Sequence, residues 1–171
     1  VVPGELEITK AAMTDEQADA EGFNVVYDGN MHSISIVNTI GATVSYRKDG
    51  EEVSPEALNV ADSLEGVEVT FTHPNYADKT VIVDKIITPK EVTITADDKT
   101  KVYGTADPEL TATVNGAVEG ETLSYTLSRV EGEDVGNYPI TVIAGENPNY
   151  TVTVVPGELE ITKAAMTDEQ A

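Results

Sequence analysis

Residues 1–18 read VVPGELEITKAAMTDEQA, and residues 154–171 repeat them letter for letter. An identity of 18 residues does not arise by chance. At an offset of 153 (154 − 1) it predicts a tandem array, of which this chain is one full period plus the start of the next. A weaker repeat lies inside the period. Pro74-Asn75-Tyr76 recurs as Pro148-Asn149-Tyr150, Tyr27-Asp28-Gly29 is echoed by Tyr103-Gly104, and residues 85–88 (KIIT) parallel residues 160–163 (EITK). The period therefore divides into two related units of about 75 residues. The expected organisation is 1–10 as the end of a preceding repeat, 11–88 as unit A, 89–163 as unit B, and 164–171 as the start of the next repeat.

Alternation of apolar and polar residues identifies strands in both units. In unit B the alternating residues are Val92/Ile94, Leu110/Ala112/Val114, Leu123/Tyr125/Leu127, Tyr138/Ile140/Val142, Val152/Val154 and Leu159/Ile161. In unit A they are Ile34/Ile36, Val67/Val69/Phe71 and Val81/Val83. Between the runs stand the turn signals Asp28-Gly29, Asp49-Gly50, Asn115-Gly116, Glu119-Gly120 and Pro156-Gly157. Only residues 54–63 have a helical look, with Ser54 placed as an N-cap before Pro55. The predicted fold class is all-β: two small antiparallel β-sandwich units, immunoglobulin-like, in tandem.

The joints carry no Gly/Ser-rich hinge. Pro89 fixes its own φ and biases Thr88 toward extended backbone, so the expected joint is short and semi-rigid. A unit of about 75 residues buries only about 60% of its unfolded surface and gains from packing against a neighbour. Residues 1–9 copy the last strand of unit B without the rest of that unit. They are expected to lie along unit A or to complete a neighbouring molecule's sheet.

Unit B resembles the MBG domain of the YGX type, a module found in tandem in large bacterial surface proteins and adhesins. The blocks that carry the resemblance are ADDKTKVYGTADPELTATV, EGETLSYTLSRVEGEDVGNYPITV and NPNYTVTVVPGELEIT, over about 90–163. Unit A, through YDGNMHS at 27–33, resembles a bacterial immunoglobulin-like surface repeat, but it departs at 54–63. The resemblance implies an extracellular, cell-surface or wall-attached, all-β repeat, and it brings no catalytic residues. Tyr103, Gly104, Gly136, Tyr138, Tyr150 and Pro89 are expected to be structural. The glycines serve turns, and Tyr138 and Tyr150 bury their rings and place their hydroxyls on backbone.

Composition narrows the chemistry. Thirty-one acidic and ten basic residues give a net charge of −21, which repels nucleic acid. The absence of cysteine excludes disulfide scaffolds, thiolate metal sites and thiol catalysis. No run of 18 apolar residues exists, so no membrane insertion by this fragment is expected, and any export signal is expected to lie outside it. The two histidines, His32 and His73, read as surface or loop residues rather than as general bases, and no hydrolase or nucleotide motif is present. The expectation is no enzyme and no obligatory cofactor.

Calcium is the better chemical candidate. Asp97, Asp98 and Asp107, or Asp15, Glu16 and Asp19, would supply the oxygens, although neither set fits an EF-hand loop. An isopeptide cross-link would draw on Lys10, Lys85 or Lys163 with Asn75 or Asn149. The functional expectation is a structural tandem-repeat module of a bacterial surface adhesin, a semi-rigid stalk spacer whose partners are adjacent identical repeats. The alternative is a multivalent repeat for host glycan or mucin, with Tyr46 as a candidate exposed ring. The absence of Trp argues against it.

Overall fold

The structure is a computed structural model, and it describes residues 4–166; residues 1–3 and 167–171, which fall in the two terminal segments of the predicted organisation, lie outside the described residues. The chain is all-β and divides into two compact units between Thr88 and Pro89.

Unit 1 holds β1 (Ala18–Glu21), β2 (Phe23–Val26), β3 (His32–Ser33), β4 (Ser35–Asn38), β5 (Thr43–Lys48), β6 (Glu51–Glu52), β7 (Glu56–Ala57), β8 (Leu64–His73) and β9 (Tyr76–Thr88). Its main sheet runs β2-β9-β8-β5-β6, and β1 pairs with β4 outside it. Val67, Val69 and Phe71, alternate residues of β8, are fully buried, and Met13, Ala18, Ile34 and Ala42 complete the core from the other side. Ile36 departs from the expectation at 40% exposed, because β4 is paired only with β1 and has a free edge. The β5–β6 turn is Asp49-Gly50, with φ 51° and 85°. Positive φ at both central residues is the primed-turn pattern that closes a tight hairpin.

The helical turn expected in 54–63 forms at the end of that stretch, not beneath Ser54 and Pro55. Ser54 caps nothing helical: its Oγ accepts from the Glu56 N–H, and β7 follows at once. A single 3-10 turn, Val60–Asp62, comes later. The Asp62 carboxylate ties it down by accepting from the N–H groups of Asn59 (2.8 Å) and Leu58 (3.1 Å).

Unit 2 holds β10 (Lys90–Ala96), β11 (Lys99–Val102), β12 (Ala112–Asn115), β13 (Tyr125–Arg129), β14 (Gly136–Ala144), β15 (Tyr150–Val155) and β16 (Gly157–Thr162). Two sheets, β12-β10-β15 and β11-β16-β14-β13, close on one core in a β-sandwich. Val92, Ile94 and Ala96 enter from the first sheet; Ile140, Val142, Leu159 and Ile161 enter from the second.

The sheets are mixed rather than antiparallel. β2 lies parallel to β9, β10 to β15, and β11 to β16. Alternation reports which face of a strand is buried but carries no sense of strand direction. The parallel pairs also correct the internal alignment by one residue. Tyr27 N–H donates to Thr88 O at 2.9 Å, and Tyr103 N–H donates to Thr162 O at 2.8 Å. Residues 85–88 are thus equivalent to 159–162, and β9 corresponds to β15 and β16 together.

The difference between them is Pro156. It was expected in a turn with Gly157, but the chain runs straight on and changes sheet there. Proline has no N–H for the ladder, so β15 ends at Val155 and β16 begins at Gly157 in the opposite sheet. Gly157 is required by proximity: a Cβ there would lie 2.6 Å from the Ala96 carbonyl oxygen. Val154, expected inside, is 44% exposed just ahead of this crossing.

The repeated segment behaves differently at its two occurrences. Residues 157–162 form the central strand β16, with Leu159 and Ile161 buried. Residues 4–10 form no strand, and Leu6 and Ile8 are 85% and 88% exposed. The expectation that they lie along unit 1 is not met; pairing begins only at Ala11, which bridges Tyr76. The second half of the segment shows the reverse. Met13 is core in unit 1, whereas its copy Met166 is 79% exposed.

Candidate functional site

The densest polar constellation gathers on the second sheet of unit 2. Lys101 comes from β11, Asp107 from the following loop, Arg129 from the end of β13, and Glu133 from the loop into β14. Lys101 Nζ donates to Asp107 Oδ1 (2.6 Å) and Glu133 Oε2 (2.5 Å). Arg129 donates through Nε to Asp107 Oδ2 and through Nη2 to Glu133 Oε1, both at 2.6 Å. Its Nη1 reaches the carbonyls of Val130 and Gly132, each at 2.8 Å. Two cations and two anions thus form a closed neutral ring. The cationic side chains lie beneath, 3% and 12% exposed, and the carboxylates lie outside.

Each group stabilises the ionised form of the next. Hydrogen bonds from Arg129 and then Lys101 hold the Asp107 carboxyl below its ordinary range, and Lys101 and then Arg129 do the same for Glu133. The bond to Asp107, first among the causes, raises both Lys101 and Arg129. Every charge in the ring is paired. The ring is a latch that fastens two loops to two strands, and its carboxylates are already engaged by cations of the chain itself.

Tyr138 completes this corner. Its ring lies 5.8 Å under the Arg129 guanidinium, and its hydroxyl donates to Asp134 O at 2.9 Å. The ring is pressed against Gly132, where a Cβ would come within 2.1 Å of it. Tyr150 is half-buried; its hydroxyl accepts from the Val118 N–H and donates to the Glu121 carboxylate. The Tyr103-Gly104 pair forms a turn closed by Thr105 N–H to Val102 O, with φ 84° at Gly104, where glycine is favoured. Tyr103 itself is 51% exposed. Gly136, at φ 158°, lies close to extended backbone and opens β14 rather than a turn. Pro89 stands alone between β9 and β10.

The three aspartates suggested for calcium are not brought together. Asp97 accepts from Thr111 Oγ1 (2.5 Å) and Thr113 Oγ1 (2.9 Å), bonds that lower its pKa. Asp98 accepts from the Glu158 N–H, and Asp107 belongs to the ring. In unit 1, Asp15 pairs with Lys79, and Asp19 accepts from the Ala20 N–H. No group of three or more potential metal ligands occurs among the described residues.

Neither histidine activates a nucleophile. His32 Nε2 meets Asp28 at 3.1 Å, and Asp28 is held at about 2 chiefly by the Asn30 N–H. The neighbouring Ser33 hydroxyl turns to the Ile34 carbonyl instead. His73 Nδ1 accepts from the Asn75 N–H. Of the lysines considered for a cross-link, Lys85 is buried on β9 in the place that Leu159 takes in unit 2. Its Nζ escapes to Glu56 O at 2.9 Å, and burial pushes its pKa down. Lys10 reaches His73 O, and Lys163 is exposed. Tyr46 is half-buried against the unit 1 core, so it is not the exposed ring that sugar stacking would need.

Residues 92–160 match the family model of the MBG domain (YGX type). No curated protein matches the chain in sequence. Among solved structures, the chain is similar to the titin I-band fragment I67–I69, at 12% identity and a TM-score of 0.32, over 88% of this chain and 64% of that one. It is also similar to immunoglobulin domains 1–4 of Sidekick-1 (13% identity, TM-score 0.31, 90% of this chain and 51% of that one). A third similarity is to the fibronectin(III)-like modules of Clostridium thermocellum CbhA (15% identity, TM-score 0.31, 86% and 95%). The chain thus spans less than two thirds of the first of these structures.

Proposed function

We propose that the chain is a structural spacer, one period of a tandem array that forms the semi-rigid stalk of a bacterial cell-surface adhesin. The observation that carries this reading is the letter-for-letter recurrence of 18 residues at an offset of 153. The match of residues 92–160 to the MBG domain (YGX type) supports it. So does the single residue, Pro89, between the last strand of unit 1 and the first of unit 2. The function is geometric: copy number sets reach, and the partners of each period are its neighbours in the same chain. A net charge of −21 keeps crowded stalks soluble and apart. No reaction is assigned, because the polar groups that gather in unit 2 are already satisfied by one another.

Small-angle scattering on chains of one, two and three periods tests the reading. A maximum dimension that rises by a constant step per period supports it. Growth nearer the square root of copy number, as for a flexible linker, would refute it.

One observation favours a second reading, multivalent recognition of host glycan or mucin: the ring of Tyr103 is half exposed. A glycan array probed with a two-period chain, with and without Tyr103→Ala, separates the two. Specific signal lost in the variant selects binding, and no signal leaves the spacer.

A further inference from the structure

From Gly29 to Tyr46 there is no Asp, Glu, Lys, Arg or Pro, although charged residues make up 24% of the sequence. The corresponding stretch of unit 2, residues 106–123, where β12 takes the place of β4, holds Asp107, Glu109, Glu119 and Glu121. β4 lies at the centre of the uncharged stretch, and its Ile36 and Val37 are 40% and 44% exposed.

One edge of β4 is paired with β1, and among the described residues no strand pairs with the other. Thr39 N–H donates to Gln17 O at 2.9 Å on the β1 side, so in this antiparallel register Ser35 and Val37 also turn their backbone groups to β1. Ile36 and Asn38 turn theirs outward. The same edge is closed just before this point, where β3 pairs with β7 and Ile34 N–H donates to Pro55 O at 3.0 Å. The chain then leaves it, and Val53 N–H goes to Tyr46 O instead. Other sheet edges are blunted by charge or proline. β6 is Glu51-Glu52, β11 carries Lys99 and Lys101, and β15 stands between Pro148 and Pro156. β4 has neither device.

We infer that the free edge of β4 is a self-docking surface, and that its partner is β4 of a second copy of this chain, added antiparallel about a twofold axis through Val37. In that register Ile36 pairs with Asn38 of the second copy, and Asn38 with the second copy's Ile36. The outward N–H and C=O groups of all four residues are then satisfied, and two β1–β4 pairs become one four-stranded sheet. The two Val37 side chains meet across the axis. Charge selects this occupant. Two copies at −21 repel wherever their acidic surfaces approach, whereas here two backbones meet with no charge on either strand. The nearest carboxylates, Asp19 and Glu21, lie on β1. Those of the two copies stay at least about 14 Å apart, three strand spacings, beyond the screening length of about 8 Å at physiological salt. The contact is small and makes a transient dimer rather than an obligate one. It does not depend on the spacer reading.

Hydrogen exchange and sedimentation equilibrium on the full chain, across a wide range of concentration at physiological salt, test the contact. In dilute solution the Ile36 and Asn38 amides should exchange freely, while those of Val37 and Thr39 are protected by β1. With rising concentration the Ile36 and Asn38 amides should slow in step with the appearance of dimer, and lowering the salt should reverse both. Val37→Lys sets two ammonium groups face to face at the axis and should weaken the dimer by about tenfold or more, with the Thr39 amide still protected as the mark of an intact monomer. Ile36→Pro removes the outward N–H without breaking the β1 ladder and should weaken it likewise. Ile36 and Asn38 amides that exchange at one rate at every concentration would overturn the inference. So would a dimer indifferent to Val37→Lys, or one whose newly protected amides lie on another edge such as β15.

Discussion

Leu159→Ala and Leu6→Ala make the same substitution in the same 18-residue sequence, yet their costs should differ by most of an ordinary core mutation. Leu159 is fully buried between the two sheets of unit 2, whereas Leu6 is 85% exposed. Truncating a fully buried leucine costs about 2–5 kcal/mol through lost burial and the cavity left behind. A unit of about 75 residues is stable by roughly 4–11 kcal/mol in total. At mid-range values Leu159→Ala should therefore remove about half of unit 2's stability. With about 4–8 °C per kcal/mol for a domain of this size, its transition should fall by roughly 8–40 °C. Leu6→Ala should stay within about 0.5 kcal/mol, as surface changes do. Calorimetry reads both transitions, and hydrogen exchange at the β14 and β16 amides assigns the loss to unit 2. Equal shifts for the two variants would refute the division of the repeat into a seated and an unseated strand. So would a loss below about 1 kcal/mol for Leu159→Ala.

The remaining predictions concern the corner and the acidic loops. Tyr138→Phe removes one hydrogen bond, to Asp134 O, and should cost about 1 kcal/mol by urea denaturation. Gly132→Ala forces the Tyr138 ring away, since the new Cβ would lie 2.1 Å from it, and should cost more than Tyr138→Phe in the same assay. The folded carboxyls of Asp107 and Glu133 are held below their unfolded values, so their stabilisation is present above the ordinary carboxylate range and is lost as pH falls through the lowered values. Melting temperature should therefore drop on the acid side, and Asp107→Asn with Glu133→Gln should flatten that limb by lowering the mid-pH melting temperature toward its acid value. At the alkaline end Lys101 contributes with the opposite sign, fully below its ordinary value and lost as pH rises through its raised one. Calcium against chelator should move the melting temperature by no more than about a degree, because Asp97, Asp98 and Asp107 each accept from separate groups of the chain.

Much of the core was legible in the sequence, because burial on a strand follows a period of two. Val67, Val69, Phe71, Val92, Ile94, Ile140, Leu159 and Ile161 all stand in alternating runs, and all are buried. Strand direction was not legible. Nothing in Lys99–Val102 indicates that its neighbour will be β16 running the same way, and that pairing depends on where the whole chain travels. The charged ring was missed for a similar reason. Lys101 and Arg129 are two of ten basic residues in an acidic chain, and their partners lie up to 32 positions away. Their aliphatic stems pass for surface residues until the topology buries them. Lys85 misled in the same manner, being a lysine where unit 2 has Leu159. The separation of the three aspartates suggested for calcium was not legible either. Asp97 and Asp98 are adjacent in sequence, yet one carboxylate meets two threonines and the other a backbone N–H of β16.

The parallel pairs decide how such a unit responds to load. The chain enters unit 2 at the first residue of β10 and leaves at the last residue of β16. Pulling those ends apart drags β10 one way and the β15–β16 run the other, along a shared axis. Six rungs between β10 and β15 are then sheared together, with four more between β11 and β16 resisting the same slide. A hairpin gripped at its open end unzips rung by rung. Strands sheared side by side yield only when many bonds break at once, so tethering by these ends sets the direction in which the sandwich is hardest to tear.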